Sequence, residues 1–423
     1  MERTLIIQNP HWSGNQYDGL VERTIMSNLR EKSQLPHIQI LTGVRRSGKS
    51  TLFKLLINDL LKSGVSPKSI LTITLDAPIF ISYWNKCDNI QNIIDVAEKL
   101  TGEKVEYLFI DEIQQVKDWE IFVKNAYDIQ YFKKIYITGS NSNLLANRFS
   151  SMLAGRYFAN EVSPFSLKEI FATFGVNSIL DCYRNKNLLL RVVDNCLQYG
   201  SFPEIVLKEM DENIKIELLQ SYFTSIVQQD CIIYNAIRNP YLFYKCVNYL
   251  FQNVGNRFSL MQLGKSMLSN ENTMTSYVNY LCNSYICYDI RNFSYSLKET
   301  KRSDHKCYCI DNGLIQANTQ RYSSDIGRLF ENLVFNELRY KGFENIAFDN
   351  GKGECDFLAW KGGELCAFQV CFELSDYNRD REFAGFNVNN ALITQKTVIT
   401  YNQKEEVGDI RVVPLWEWVM EEL

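Results

Sequence analysis

Gly43-Val-Arg-Arg-Ser-Gly-Lys-Ser-Thr51 reads G-x-x-x-x-G-K-[ST], the spacing with which a chain wraps nucleotide phosphates. Gly43 and Gly48 permit backbone angles that turn N–H groups inward, and a following helix adds its N-terminal partial charge. At this spacing Lys49 reaches the β- and γ-phosphates, Ser50 ligates Mg²⁺ and Thr51 holds the α-phosphate. Arg46 and Ser47 complete the expected contact set. Arg45 and Arg46 are equally consistent with phosphate contact, partner contact or a solvated surface. A second group is Leu108-Phe-Ile-Asp111-Glu112. An apolar run ending in acids puts them at the carboxyl edge of a sheet. Asp111 is then a Mg²⁺ ligand, and Glu112 the group that orients and deprotonates water.

Other candidates surround these two. Ser140, in Thr138-Gly-Ser-Asn141, either hydrogen-bonds the attacking water or γ-phosphate or merely ends a strand. Arg156, in Leu153-Ala-Gly-Arg156, either neutralises transition-state charge, in its own subunit or a neighbour's, or forms a surface salt bridge. Lys298, Lys301, Arg302, His305 and Lys306 make a basic run that suits either DNA phosphates or a solvated loop. Nearer the end come Glu331, then Glu354 and Asp356, then Phe368-Gln-Val-Cys371. Gathered carboxylates can bind Mg²⁺ for phosphodiester cleavage. An acid at 369 and a lysine at 371 are missing, which favours a structural or partner-binding role.

The elements needed to position these groups are legible. Short β-prone runs at 38–41, 69–76, 105–112, 134–140 and 157–162 alternate with helical spacing, as in a parallel α/β sheet. Residues 1–36 read as a leading arm with a polar helix from Tyr17 to Lys32. After Pro164 the pattern turns helical. Ser166-Leu-Lys-Glu169 is a capping box, and Leu188 to Leu197 and Ile214 to Val227 are amphipathic. Short helices at 241–254, 259–268 and 273–284 precede strands at 286–293 and 306–310, the order of a winged helix. A helix from Asp325 to Tyr340 and strands at 355–360 and 365–372 open a last domain. The expected divisions are 1–163, 164–238, 239–324 and 325–423.

Composition narrows the class. The 423 residues carry a net charge of −4, so the whole molecule is not a polyanion binder. Residues 326–423 hold 10 Lys and Arg against 17 Asp and Glu, while the remainder holds 35 against 32. The acidic end is a poor partner for DNA unaided. Twelve cysteines without a C-x-x-C pair, and only three histidines, argue against zinc and for reduced thiols in a cytoplasmic protein. No apolar run reaches membrane-spanning length.

These motifs resemble a large bacterial and archaeal family of AAA-type ATPases with a C-terminal restriction-endonuclease-like domain of unknown function. The resemblance runs in order along nearly the whole chain. It starts with the phosphate loop, Phe109-Ile-Asp-Glu-Ile-Gln114, Ile137-Thr-Gly-Ser-Asn141 and Leu153-Ala-Gly-Arg156. Tyr199-Gly-Ser-Phe-Pro203, Tyr308-Cys-Ile-Asp-Asn-Gly-Leu314, Gly327-Arg-Leu-Phe-Glu331 and Gly353-Glu-Cys-Asp-Phe357 continue it. It implies a phosphate-loop strand flanked by the acid-bearing and Ser140-bearing strands. A winged-helix module and an endonuclease-like end follow, beyond the helical region, which the pattern itself reads as a lid or bridge. It implies metal ligands at Glu331 and Asp356 in that end. Gln369 and Cys371 depart from its acid-x-lysine pattern. The expectation is a Mg²⁺- and ATP-dependent protein, acting on DNA through the winged helix or on a protein partner, and able to form a homo-oligomer. A nucleotide-gated switch with little turnover and a metal-dependent nuclease are the alternatives.

Overall fold

The computed structural model describes residues 1–145, 151–294, 304–319, 326–351, 353–388 and 392–421. Two compact units divide the chain, Met1–Ser163 and Pro164–Leu423.

In the first unit the short apolar runs become β1 (Ile38–Thr42), β2 (Ile70–Thr74), β3 (Tyr107–Asp111), β4 (Lys134–Gly139) and β5 (Tyr157–Glu161). All pairings are parallel, in the order β2-β3-β4-β1-β5. This corrects one expectation. The neighbours of β1 are β4 and β5, and β4 separates it from the acid-bearing β3. Period-two alternation decides which side chains meet which layer. Ile38, Ile40, Leu108, Ile110, Ile135 and Ile137 face a core shared with helices α4 (Asp88–Thr101) and α5 (Trp119–Asp128). Leu41, Phe109 and Tyr136 face the opposite core, with α2 (Ile25–Ser33) and α3 (Lys49–Lys62). There Phe109 stacks on Tyr136 with centroids 4.4 Å apart, and Phe53 of α3 meets Phe109 edge-on at 5.1 Å. Such pairs contribute about 0.5–1.5 kcal/mol each beyond their buried area.

The arm differs from the expected single helix. It forms α1 (Glu2–Gln8), a short 3₁₀ turn at Pro10–Ser13 and α2. Its role is at the sheet edge. Asn9 Nδ2 donates to Thr72 O at 2.9 Å, and the Thr72 N–H donates to Asn9 Oδ1 at 2.6 Å. Gln8 repeats the exchange with Thr74 at 3.1 Å each way. Two side-chain amides thus satisfy the open ladder of β2.

The second unit begins with the helix Leu167–Thr173, closed by the Ser166/Glu169 capping box. Helices at Lys186–Tyr199 and Glu212–Ser225 follow, the latter continuing as a π-helix over Ile226–Ile233. Helix Pro240–Gln252, β6 (Arg257–Phe258), helices Leu260–Ser266 and Glu271–Asn283, then β7 (Cys287–Arg291) and β8 (His305–Cys309) come next. The strands form an antiparallel sheet ordered β6-β8-β7. Lys298, Lys301, Arg302 and Asp325 lie outside the described residues. Helix Ile326–Tyr340 then leads to a mixed six-stranded sheet. Its strands are β9 (Glu344–Asp349), β10 (Cys355–Lys361), β11 (Glu364–Cys371), β12 (Ile393–Thr400), β13 (Glu405–Val407) and β14 (Ile410–Pro414), in the order β13-β14-β12-β11-β10-β9.

Glu337, inside the helix 326–340, accepts the Leu167 N–H at 2.8 Å and so serves an otherwise unpaired donor of the helix 167–173. Burial pushes its carboxyl up to about 8; the Leu167 N–H and Lys341 pull the other way, and Glu169 adds to the rise. A carboxyl raised in the fold contributes stability that is complete below its ordinary value of 4.5 and is lost as pH climbs through about 8. Glu337→Gln should therefore flatten the fall in melting temperature between about pH 5 and pH 9 relative to the native chain. Parallel curves for the two proteins would refute this.

Candidate functional site

The loop between β1 and α3 is shaped by three backbone positions with positive φ before its helix, the first of them Gly43 at 139°. Gly48, the residue before α3, has φ 101°, and Arg46 has φ 69°. Left-handed residues alternating with right-handed ones turn successive N–H groups into a concavity suited to anions. Gly43 is fixed by packing as well, since a Cβ there would lie 2.1 Å from the Val162 carbonyl oxygen. Lys49 is buried, and its ammonium donates to the carbonyls of Gly43 at 2.8 Å and Val44 at 2.9 Å. The Ser47 hydroxyl is buried in this loop without a hydrogen-bond partner among the described residues. Thr51 occupies the first turn of α3.

The sheet order brings the acids to this loop. Parallel strands place the ends of β1, β3 and β4 along one edge. Asp111, 6 % exposed, receives the Ser50 hydroxyl on Oδ2 at 2.6 Å and the Thr138 hydroxyl on Oδ1. Burial and then the charge of Glu112 push the Asp111 carboxyl up, while Ser50, Thr138 and Lys49 draw it back down. Glu112 has a left-handed backbone, φ 56°, and its N–H donates to Thr138 Oγ1 at 3.0 Å. Its Oε2 accepts from Gln114 Nε2 and lies 3.5 Å from Ser140 Oγ. Lys49, Ser50, Asp111, Glu112 and Ser140 therefore share one edge of the sheet.

Arg156 does not join them. Its carbonyl accepts the Ile38 N–H, at the first residue of β1, so it sits at the amino edge. Five strand residues, roughly 15 Å, separate that edge from the loop. Its guanidinium pairs with Asp128 Oδ1 at 2.8 Å.

Three contributors went unrecognised in the sequence. Thr138 supplies the second hydroxyl on Asp111, beside that of Ser50. Gln114 holds the Glu112 carboxylate. Arg23 donates to Ser47 O at 3.0 Å and to Ser163 O at 2.9 Å, bracing the loop from the arm. The first two stand beside recognised residues, while Arg23 carries no spacing signal at all.

In the second unit, His305 and Lys306 correct the basic-run expectation. Both are buried, His305 against Asp289 at 2.8 Å and Lys306 among Glu331, Glu354 and Asp356. Neither is available to a DNA phosphate. Gln369 Oε1 accepts the Asp356 N–H at 2.7 Å, and Cys371 Sγ donates to the Glu373 carbonyl at 3.1 Å.

Residues 36–171 match a family model described as an AAA domain, and residues 191–325 match a domain of unknown function (DUF8612). The uncharacterized protein MJ1544 of Methanocaldococcus jannaschii is 32% identical over 412 residues, spanning 90% of this chain and 88% of that protein. The chain belongs to the family of this archaeal protein. An uncharacterized protein of Haemophilus influenzae is 28% identical over 393 residues, covering 91% of this chain and 94% of its own length. Among solved structures, the Aeropyrum pernix Orc1 protein in complex with DNA overlaps 70% of this chain and 92% of its own, at 10% identity and TM-score 0.35. By the family model that it matches, the 36–171 segment of this chain is an AAA-type P-loop domain. Among the described residues no helix is long and apolar enough to cross a membrane.

Removing the brace tests how the loop is held. Arg23→Ala strands two carbonyls and should lower unfolding stability by about 1–3 kcal/mol in denaturant titration. An unchanged midpoint would show that the loop does not depend on it.

Proposed function

We propose that the chain is a Mg²⁺-dependent ATPase that uses ATP binding and hydrolysis to drive a conformational change acting on a partner macromolecule. The observation that carries this reading is the Ser50–Asp111 pair, set beside Lys49 and Glu112 at one sheet edge. The Ser47 hydroxyl, buried without a hydrogen-bond partner among the described residues, and the turned backbone at Arg46 and Gly48 fit a polyanion. Gly43, Arg46, Ser47, Gly48, Lys49 and Thr51 hold the triphosphate. Ser50 and Asp111 hold Mg²⁺, which when bound offsets charge on the phosphates. Glu112 takes the proton from a water aligned with the γ-phosphate, and Ser140 and Gln114 orient the Glu112 carboxylate.

The later residues are read as a helical bridge (164–238), a winged-helix-like module (239–324) and an endonuclease-like end that does not cut (325–423). The helix–strand–helix–helix–strand–strand order supports the middle assignment. Helix Glu271–Asn283 carries no Lys or Arg, which favours a protein partner over DNA. A second reading, a nucleotide-gated switch with little turnover, draws on the engagement of Glu112 by Gln114 and Ser140.

Calorimetric titration with ATP and Mg²⁺, paired with phosphate release, separates these readings. Lys49→Ala should abolish binding. Glu112→Gln should bind normally and turn over roughly a hundredfold more slowly. Tight binding without turnover in the native chain would select the switch, and no binding by folded protein would end both. Arg156→Ala should leave turnover within about twofold, since its guanidinium is committed to an exposed pair at the far edge. A larger loss, together with an ATP-induced oligomer in light scattering, would instead place Arg156 at a neighbour's site.

A further inference from the structure

Lys306 lies on β8, the middle strand of its sheet, and is 2 % exposed. An ammonium so deep must be matched by charge. Its Nζ is 3.0 Å from Glu354 Oε1, 3.4 Å from Glu331 Oε1 and 3.9 Å from Asp356 Oδ1. The three acids come from different places: the helix 326–340, the turn before β10, and β10 itself. Each is oriented by a further contact. Tyr308 Oη donates to the same Glu331 oxygen, the Val370 N–H donates to Asp356 Oδ2 at 2.9 Å, and Arg257 stands 3.9 Å from Glu354 Oε2. The ring of Phe348 closes the side of the ammonium, 5.4 Å from its centroid.

Carboxylates turned to one point are the ligand type of a hard divalent cation, yet as they stand around the ammonium no three acids among the described residues are grouped to hold a metal ion. Here that point is held by a side chain of the same protein. Gln369 Oε1 is turned to the Asp356 N–H and its Nε2 to Glu382 at 3.3 Å, so it adds no fourth carboxylate.

We propose that Lys306 is a built-in cation, occupying the position that Glu331, Glu354 and Asp356 otherwise offer to a divalent metal ion. The native cluster takes up no such ion, and it becomes a metal site when the lysine side chain is removed. The ammonium then serves as a clamp, tying β8 to β10 and to the helix 326–340, and the end of the chain does not perform metal-assisted phosphodiester cleavage.

The test is Mn²⁺ titration of nucleotide-free full chain by calorimetry and electron paramagnetic resonance. The proteins are native, Asp356→Asn, Lys306→Ser and the double variant Lys306→Ser/Asp356→Asn. Lys306→Ser should gain one ion per chain, bound at least tenfold more tightly than any Mn²⁺ on the native protein, and the double variant should lose it. A native chain that binds Mn²⁺ in a manner abolished by Asp356→Asn overturns the proposal. So does a folded Lys306→Ser with no gain. Should Lys306→Ser not fold in metal-free buffer, refolding with and without Mn²⁺ decides the matter: recovery only with the ion supports the proposal, and failure in both refutes it.

Discussion

The first unit is organised by a buried carboxylate that must be matched where it stands. Asp111 ends β3 almost out of solvent, and two hydroxyls from different elements converge on it, Ser50 from the helix after β1 and Thr138 from β4. The sheet order that puts β4 beside β3 and next to β1 brings all three to one place. Strand order and site chemistry are thus one constraint. The stacked Phe109–Tyr136 pair on β3 and β4, with Phe53 against it, fixes the spacing of these elements from one layer below. A shift of register in β4 by a single residue would turn Thr138 to the other face of the sheet.

The second unit answers the same problem with different means. Glu337 is matched by a backbone N–H at the start of a helix, and the acids around Lys306 by an internal ammonium. Asp311 is matched by the Ser201 N–H at 2.6 Å and the Gly313 N–H at 2.8 Å. Buried acids met by fixed partners rigidify the elements that carry them, because losing one partner leaves a buried polar group without compensation. The motif residues around Tyr199 and Asp311 thus have an architectural role: the Asp311 side chain caps the helix Asn312–Asn318 and ties its start to the loop at Ser201.

Much of this was legible in the sequence, because glycine spacing and apolar periodicity are local signals. The phosphate loop, the apolar run into Asp111 and Glu112, and the Ser166 capping box all depend on residues within a few positions of one another. What escaped depends on distant pairing. Arg23 reaches the loop from an arm that reads as plain polar helix, and the strand order that parts β1 from β3 leaves no trace in spacing. Lys306 misled for the same reason. In a run of basic residues it reads as solvated, whereas its fate was set by Glu331, Glu354 and Asp356, which lie further along the chain. Arg156 stands next to a strand in sequence, but only the direction of that strand reveals which end of the sheet it occupies.

The amides of Gln8 and Asn9 carry a consequence for assembly. By mimicking a sixth strand they terminate the hydrogen-bond ladder of β2, so no second chain can extend the sheet by adding its own backbone there. Growth into a continuous intermolecular sheet is blocked at that margin. At this edge, association between copies is left to side-chain surfaces, whose geometry a bound ligand can alter far more readily than a shared ladder.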